Sequence, residues 1–285
     1  MPGASAQTVA AEILVPGGVL EVRFSEPIAD DRANEFTDWL SHVAGSVSDV
    51  YGRFPEERVR IRLDGGKRFN WGDDGAVSFG RVTRNNGVGI DLYVNLDSPI
   101  EAFYADWTAT HEFAHLLMPR LNDRHRWLSE GFASYYQNVI MSRAGQYTPA
   151  MALEKLTAGF ARGRASRPDL SPNAAARAGM RTARYKIYWS GAALFLLADV
   201  QLRQRSGGIE SLDTVLDRFQ DCCLPSARRW SGTELLQRFD ELIDEPVFMP
   251  LYREHADEPG FPDVTAALSE QDIIAQIFAV RTSPN

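Results

Sequence analysis

The chain has 285 residues and a mass of 31.8 kDa, which suits one large domain or two lobes that share a cleft. Hydrophobic residues make up 44% and charged residues 24%, so a largely disordered or fibrous protein is excluded. No run approaches the roughly 18 apolar residues of a membrane span. The net charge of −8 argues against nucleic-acid binding, which usually requires a basic face.

The only two cysteines, Cys222 and Cys223, are adjacent, and neighbouring cysteines rarely form a structural bridge because the geometry is strained. We therefore expect neither a disulfide framework nor a cysteine-based zinc site. Residues 4–6 resemble the small-residue tail before a signal-peptide cleavage site, but the apolar core of a signal peptide is missing. They are either a flexible start or the remnant of a removed signal, and the second interpretation favours a secreted or periplasmic location.

The first 95 residues have the pattern of a mixed α/β fold. Apolar and polar residues alternate from Val9 to Ser25 on both sides of Pro16-Gly17-Gly18, which predicts a β-hairpin. Helical spacing of apolar residues predicts a helix from about Asp30 to Tyr51. Glycine, asparagine and aspartate clusters then separate three predicted strands, at Arg58–Leu63, Ala76–Val82 and Val88–Asn95. Most of the remaining chain has helical periodicity.

A strong helix-start signal follows the last of these strands. Ser98 can cap the helix, Pro99 suits its first position, and Glu101 can reach back to the cap. We expect a single helix from here to Leu117 or Met118, because a proline follows.

The predicted helix contains the sequence His111-Glu112-Phe113-Ala114-His115, an HExxH pattern. Residues four apart lie one turn apart on the same helical face, so both imidazoles can reach one metal ion. Glu112 lies about 100° round the helix, where it can act on metal-bound water without being a ligand. The alternative is a coincidental histidine pair, but in a chain with five histidines this pattern should arise by chance in roughly one chain in a few hundred.

A catalytic zinc ion usually has three protein ligands and keeps one position for water. The metzincin pattern needs Gly and His where this chain has Met118 and Leu121, and His125 stands at the wrong offset, so we expect His125 in a loop. Glu130 is the better candidate for the third ligand. It lies 15 residues beyond His115, far enough for a turn and an antiparallel helix to bring its carboxylate to the metal.

The HEFAH pattern followed by Trp127-Leu128-Ser129-Glu130-Gly131-Phe132 resembles the gluzincin peptidases. Within them it is most similar to the aminopeptidase branch, especially the glycyl aminopeptidase family. The resemblance implies that His111, His115 and Glu130 bind Zn²⁺ and that Glu112 is the general base for attack by zinc-bound water.

A second match to that branch lies at Tyr188-Trp189-Ser190-Gly191. The resemblance implies that this stretch opens a helix and that Tyr188 stabilises the tetrahedral intermediate. It also implies an α+β fold, a two-lobed zincin of the thermolysin type with the active site between the lobes. We expect a small mixed α/β lobe over residues 1–97 and a helical lobe over residues 98–285, which together form one catalytic unit.

The resemblance implies a zinc-dependent peptidase whose partner is a peptide or protein substrate. Ser78 stands where aminopeptidases of this branch have a glutamate that grips the substrate's free amine. An aminopeptidase-like activity and an action on short peptides therefore both stay open. The alternative is a catalytically silent, zinc-containing binding protein with the same fold, and a third hypothesis is an interaction protein without metal.

We also consider Ser134, one turn after Glu130, as a group that could orient a ligand imidazole. The oligomeric state cannot be predicted.

Overall fold

A computed structural model describes residues 11–65, 75–85 and 87–280. The possible signal remnant at residues 4–6 and the predicted start of the hairpin at Val9 lie outside these ranges. The chain divides into two compact units, Met1–Leu116 and Leu117–Asn285. This division lies later in the chain than residue 97 because the two short helices after that residue pack on elements of the first unit.

In the described residues the first unit contains a five-stranded sheet. Its strands are β1 (Ala11–Val15), β2 (Gly18–Phe24), β3 (Arg58–Gly65), β4 (Val77–Thr83) and β5 (Val88–Val94). The spatial order is β1-β2-β3-β5-β4. The hairpin and the three later strands are thus confirmed, with ends shifted by one or two residues.

The central strands run parallel and the two outer strands run antiparallel to their neighbours. β2 pairs with β3, and β3 with β5, in parallel register, for example Ile61 opposite Ile90. β4 forms one edge and pairs antiparallel with β5. The register of that last pair shifts between Val77 and Phe79, which marks a β-bulge at Ser78.

Three helices complete the first unit: α1 (Asp30–Ser48), α2 (Ile100–Ala105) and α3 (Thr108–Ala114). The predicted α1 is confirmed, although it ends at Ser48 and not at Tyr51. Its apolar residues are buried, and it contacts β1, α2 and α3. The prediction of one continuous helix from Ser98 to Met118 is wrong. Pro99, with an extended backbone, precedes the first helical residue, and the chain leaves the helix at Asp106. The last part of the predicted helix, His115–Leu117, is a short 3₁₀ turn.

The second unit is helical in its described part, as the periodicity predicts. Its helices are α4 (Arg126–Arg143), α5 (Pro149–Ala165), α6 (Pro172–Ala178), α7 (Met180–Ser206), α8 (Leu212–Cys223), α9 (Gly232–Asp240), α10 (Phe248–His255), α11 (Thr265–Ser269) and α12 (Gln271–Phe278). None of the described helices is both long and apolar enough to cross a membrane.

Helices α4 and α7 cross with their backbones in direct contact. A methyl group built on Gly131 of α4 would overlap the backbone of Gly191 in α7. A methyl group on Gly191 would likewise overlap the backbone carbonyl of Trp127. Only glycine permits such an approach, so the two glycines determine how closely these helices pack.

Buried ion pairs and hydrogen bonds join α4 to α7 and α8. The Tyr135 hydroxyl donates to Asp199 Oδ2 at 2.7 Å, and the Tyr136 hydroxyl donates to Asp213 Oδ1 at 2.8 Å. Arg143 Nη1 lies 2.8 Å from Asp213 Oδ2. Burial raises the pKa of both tyrosines well above the usual value, so both hydroxyls keep their protons and act as donors.

The two cysteines form the last two residues of α8, and their sulfur atoms are bonded to each other. The expectation that Cys222 and Cys223 stay unbridged is therefore wrong. Neighbouring side chains inside a helix point about 100° apart. Cys222 and Cys223 stand at the C-terminal end of α8, and Leu224, which follows them, has an extended backbone.

Candidate metal centre

The HExxH residues are carried by α3 and the turn that follows it. α3 begins just after Asp106, whose Oδ1 accepts a hydrogen bond from the Thr108 backbone N–H at 2.8 Å. The other carboxylate oxygen, Oδ2, accepts from the Val77 backbone N–H at 3.2 Å. Asp106 thus attaches the start of α3 to the start of strand β4. Sequence reasoning missed this role, although aspartate before a helix is a common start signal.

His111 lies within α3, whereas His115 is the first residue of the 3₁₀ turn. The imidazole rings nevertheless lie close together, with centroids 5.0 Å apart and planes at 88°. His111 is buried and His115 is half-buried. The Trp107 indole and the His111 imidazole are nearly perpendicular, with ring centroids 5.8 Å apart. The spacing therefore places two imidazoles side by side even though the α-helix ends between them.

Glu130 lies in the second turn of α4, next to the close contact between Gly131 and Gly191. One ligand atom from each of His111, His115 and Glu130 lies within 4.8 Å of the others. In the part of the chain that the structure describes, this is the only group of three or more histidine, cysteine, aspartate or glutamate side chains close enough to hold a metal ion.

The donor set fits zinc. Two imidazole nitrogens and one carboxylate oxygen form a common catalytic zinc site, with ligand distances of about 2.0–2.2 Å. Tetrahedral ligands at such distances lie about 3.4 Å from one another. The observed limit of 4.8 Å between the three ligand atoms accommodates that geometry. These side chains could therefore hold one metal ion.

Glu112 is buried and lies against strand β4. A methyl group built on Gly80 would lie 2.5 Å from Glu112 Cγ and 3.2 Å from Oε1. The missing side chain at position 80 therefore leaves the space that the Glu112 side chain occupies. No motif in the sequence indicates this relationship, because Gly80 and Glu112 are far apart in the chain.

Tyr188 lies within α7 rather than at its start, so the expectation that its stretch opens a helix is wrong. The helix begins at Met180, and a non-helical residue, Ala183, marks a kink five residues before Tyr188. Tyr188 is half-buried and stands about one turn before Gly191. It is thus placed one turn from the point where α7 contacts the helix of Glu130.

His125 and Ser134, two further residues considered from the sequence, form hydrogen bonds with groups other than the His111 and His115 imidazoles. His125 ends a 3₁₀ turn, where Nδ1 lies 3.0 Å from Asn122 Oδ1 and Nε2 lies 3.3 Å from the Tyr252 hydroxyl. Burial is the largest effect that lowers the pKa of His125, and the positive charge of Arg124 acts in the same direction. The Ser134 hydroxyl donates to the Glu130 backbone carbonyl at 2.8 Å. Ser134 thus bonds within its own helix, a common bond for serine, and not to an imidazole as considered.

Ser78, which the sequence resemblance compares with a glutamate of the aminopeptidases, lies at the β-bulge of β4. Its hydroxyl donates to the Tyr93 backbone carbonyl on β5 at 3.1 Å. This hydrogen bond joins the Ser78 side chain to the neighbouring strand β5.

A family model described as M61 glycyl aminopeptidase matches residues 117–186. This stretch contains Glu130 and begins two residues after His115. The resemblance indicated by the sequence is thereby confirmed over that stretch. No curated protein is similar enough in sequence to count as a match.

Several solved structures share the fold. An aminopeptidase N family protein from Idiomarina loihiensis is 13% identical, with a TM-score of 0.66 over 91% of this chain and 48% of that chain. An M1 zinc metallopeptidase from Deinococcus radiodurans is 16% identical, with a TM-score of 0.56 over 89% and 52% of the two chains. Native yeast LTA4 hydrolase is 13% identical, with a TM-score of 0.59 over 88% and 39%.

These findings point to the class of the zinc metallopeptidases, which is the class that the sequence predicts. Within that class the sequence match is to the glycyl aminopeptidases. At 13–16% identity the structural likeness concerns the fold. This chain spans about half or less of the length of these structural neighbours.

Proposed function

We propose that this protein is a zinc-dependent peptidase that hydrolyses peptide bonds. The observation that carries the proposal is that one ligand atom from each of His111, His115 and Glu130 lies within 4.8 Å of the others. In this proposal they are the metal ligands, and Glu112, which adjoins His111 in the chain, is the general base.

Zinc, when bound, supplies a Lewis acid that polarises a carbonyl group and lowers the pKa of a water molecule. The Glu112 carboxylate takes the proton from the attacking water and later delivers it to the departing amine. Its burial against Gly80 holds it in one place for both transfers. The Tyr188 hydroxyl donates a hydrogen bond to the oxygen that becomes negative during the attack.

The proposal includes the architecture expected from the sequence, a small α/β lobe over residues 1–97 and a helical lobe over 98–285 that act together. Fold similarity to two-domain zinc metallopeptidases supports it. The observed mixture of one sheet and many helices is consistent with that arrangement.

The proposed substrate is a peptide, taken either at its free amino end or as a short peptide. One M1 zinc metallopeptidase of similar fold has been crystallised with the substrate Tyr-Ser-Ala. For this chain an aminopeptidase-like action is supported by the glycyl aminopeptidase match. Ser78 favours the second candidate, a silent zinc-containing domain that binds without hydrolysis. A serine hydroxyl carries no charge, so it cannot form the ion pair with a substrate's amino group that a glutamate forms.

The test combines metal content with hydrolysis of a peptide library. We expect about one zinc ion per chain in the wild type and its loss in Glu130→Ala. Glu154→Ala, which removes an exposed glutamate of α5, is the matched control and should retain zinc. Glu112→Gln should keep zinc and lose about 10²- to 10⁴-fold in hydrolysis.

Comparison of free with acetylated peptides then separates the two substrate modes. Loss of hydrolysis on acetylation indicates an aminopeptidase, and equal hydrolysis indicates an action on short peptides. Zinc without any hydrolysis would favour the silent binding domain. Absence of zinc from the wild type after growth and dialysis in zinc would refute the proposal.

A further inference from the structure

A charged pair with little exposure lies beside the end of the HExxH motif. Arg84 directly follows strand β4, and its Nη1 lies 3.4 Å from Glu56 Oε1. The exposed fractions of the two side chains are 13% and 9%. The other terminal nitrogen of Arg84, Nη2, donates to the backbone carbonyl of His115 at 2.9 Å. Arg84 therefore links Glu56 to a proposed metal ligand.

The His115 carbonyl, which accepts the hydrogen bond from Arg84, lies just past the end of the short helix α3. α3 has only seven residues, and the chain tightens into a 3₁₀ turn at His115. The last carbonyls of a helix lack partners within the helix and carry its partial negative charge. A guanidinium supplies a hydrogen-bond donor and a compensating positive charge at this end. Arg84 therefore stabilises the backbone conformation from which the His115 imidazole projects.

Stability alone is a poor explanation for such a pair. Removing two charges from water is costly, and apolar residues of similar size often stabilise a fold equally well. What apolar residues cannot do is direct a donor to one particular carbonyl. The fork of the guanidinium, with one nitrogen toward Glu56 and another toward His115, suits that geometric purpose.

We propose that Arg84, held in place by Glu56, is a positioning residue that prepares His115 for zinc. The inference rests on the proposed function, because it takes His115 as a metal ligand. Arg84 contacts the backbone of the ligand, and so it acts through His115 without touching substrate. Groups that orient a ligand around a metal site typically contribute 10- to 100-fold to metal affinity.

The test measures zinc affinity by competition with a chelating dye, at a temperature well below unfolding. We expect Arg84→Met to bind zinc 10- to 100-fold more weakly than the wild type. Arg84→Met leaves the Glu56 carboxylate without its cation, so Arg84→Met/Glu56→Gln is measured beside it and should show the same loss. Arg84→Lys, which retains a charge and a donor, should recover part of the affinity.

The matched control is Arg81→Met, three residues earlier on β4. Arg81 also forms an arginine–carboxylate pair, with Nη2 2.6 Å from Asp91 Oδ2, but its side chain is 44% exposed and its partner is not a ligand. This variant should bind zinc as the wild type does. The visible absorption spectrum of the cobalt-loaded protein is the second measurement, because it reports ligand geometry. We expect it to change in both Arg84→Met variants and not in the control.

The outcomes separate this inference from the proposed function. Wild-type affinity and an unchanged cobalt spectrum in both Arg84→Met variants would overturn the inference, even if they unfold at lower temperature. A wild type that binds zinc without hydrolysing peptides would refute the peptidase, while weaker binding by the Arg84→Met variants would still support the positioning role. A wild type that binds no zinc would overturn both.

Discussion

Gly80 on the edge strand lies against the side chain of Glu112, with no room between them for a methyl group. A Cβ atom at position 80 would lie 2.5 Å from Glu112 Cγ, a distance that real Cβ contacts essentially never show. The position of the proposed general base therefore depends on a glycine from a different element. Because proton transfer requires the base within hydrogen-bond reach of the water, this contact bears directly on catalysis.

We predict that Gly80→Ala lowers the turnover number for peptide hydrolysis by about 10²-fold, since the added methyl displaces Glu112 and a shift of about 1 Å can cost that much. Zinc content should stay at the wild-type level, because the three atoms nearest to a Cβ at position 80 all belong to Glu112 and none to a proposed ligand. Steady-state kinetics and metal analysis check both results. Gly45→Ala is the control, because a methyl group there meets nothing within 4 Å. A turnover number that matches the control would contradict the proposed fit between residues 80 and 112.

For Tyr188→Phe we predict a turnover number about 10²- to 10³-fold lower, the usual effect of removing one donor to a developing oxyanion. KM and zinc content should change little, because the hydroxyl acts in the transition state. Tyr185→Phe is the matched control on the same helix. Tyr185 is 42% exposed and its hydroxyl accepts a hydrogen bond from Arg184 at 3.0 Å. Equal turnover numbers in the two variants would remove Tyr188 from the mechanism.

Gly191→Ala is predicted to destabilise the second unit by about 1–3 kcal/mol, because the methyl would overlap the Trp127 carbonyl and force α4 and α7 apart. Urea unfolding of the metal-free protein measures this change. Zinc affinity should fall as well, because Glu130 is next to Gly131 at that crossing. Gly45→Ala again serves as the comparison. If unfolding stability and zinc affinity are both unchanged, the close contact between α4 and α7 contributes to neither.

The fourth prediction concerns acid stability. The pKa of His125 is lowered in the folded protein, chiefly by burial, from an ordinary value of 6.5. Below that value the unfolded chain binds a proton more readily than the folded one. The stability due to neutral His125 is therefore complete above about pH 6.5 and is lost as the pH falls through the lowered pKa.

Thermal unfolding of chelator-treated protein between pH 7.5 and pH 5 measures the effect. The metal-free protein is used because zinc binding itself depends on pH. His125→Gln should be less stable than the wild type at pH 7.5, since the bonds to Asn122 and Tyr252 are altered, and the gap should narrow toward pH 5. A gap that stays constant over this range would show that His125 does not titrate differently in the two states.

The strands and the first helix follow directly from local patterns. Alternation predicted the hairpin of β1 and β2, and apolar spacing predicted α1, because each depends on residues that are near in sequence. The single helix expected from Ser98 to Met118 was wrong for a reason outside that stretch. The Asp106 carboxylate bonds to the backbone of Val77, 29 residues earlier, as well as to Thr108. Such side-chain bonds to the backbone compete with the helix, and the bond between Asp106 and Val77 is invisible in any local pattern.

In the candidate site, too, local sequence explains some features and only the packing of separate elements explains the others. The sequence by itself determined that His111 and His115 stand one turn apart with Glu112 between them, because helical geometry converts a spacing of four residues into a shared face. Tertiary structure alone decided that Glu130 comes near the two imidazoles, that Gly80 makes room for Glu112, and that Arg84 contacts the carbonyl of His115. Those contacts join residues far apart in the chain, and only the packing of separate helices and strands brings such residues together.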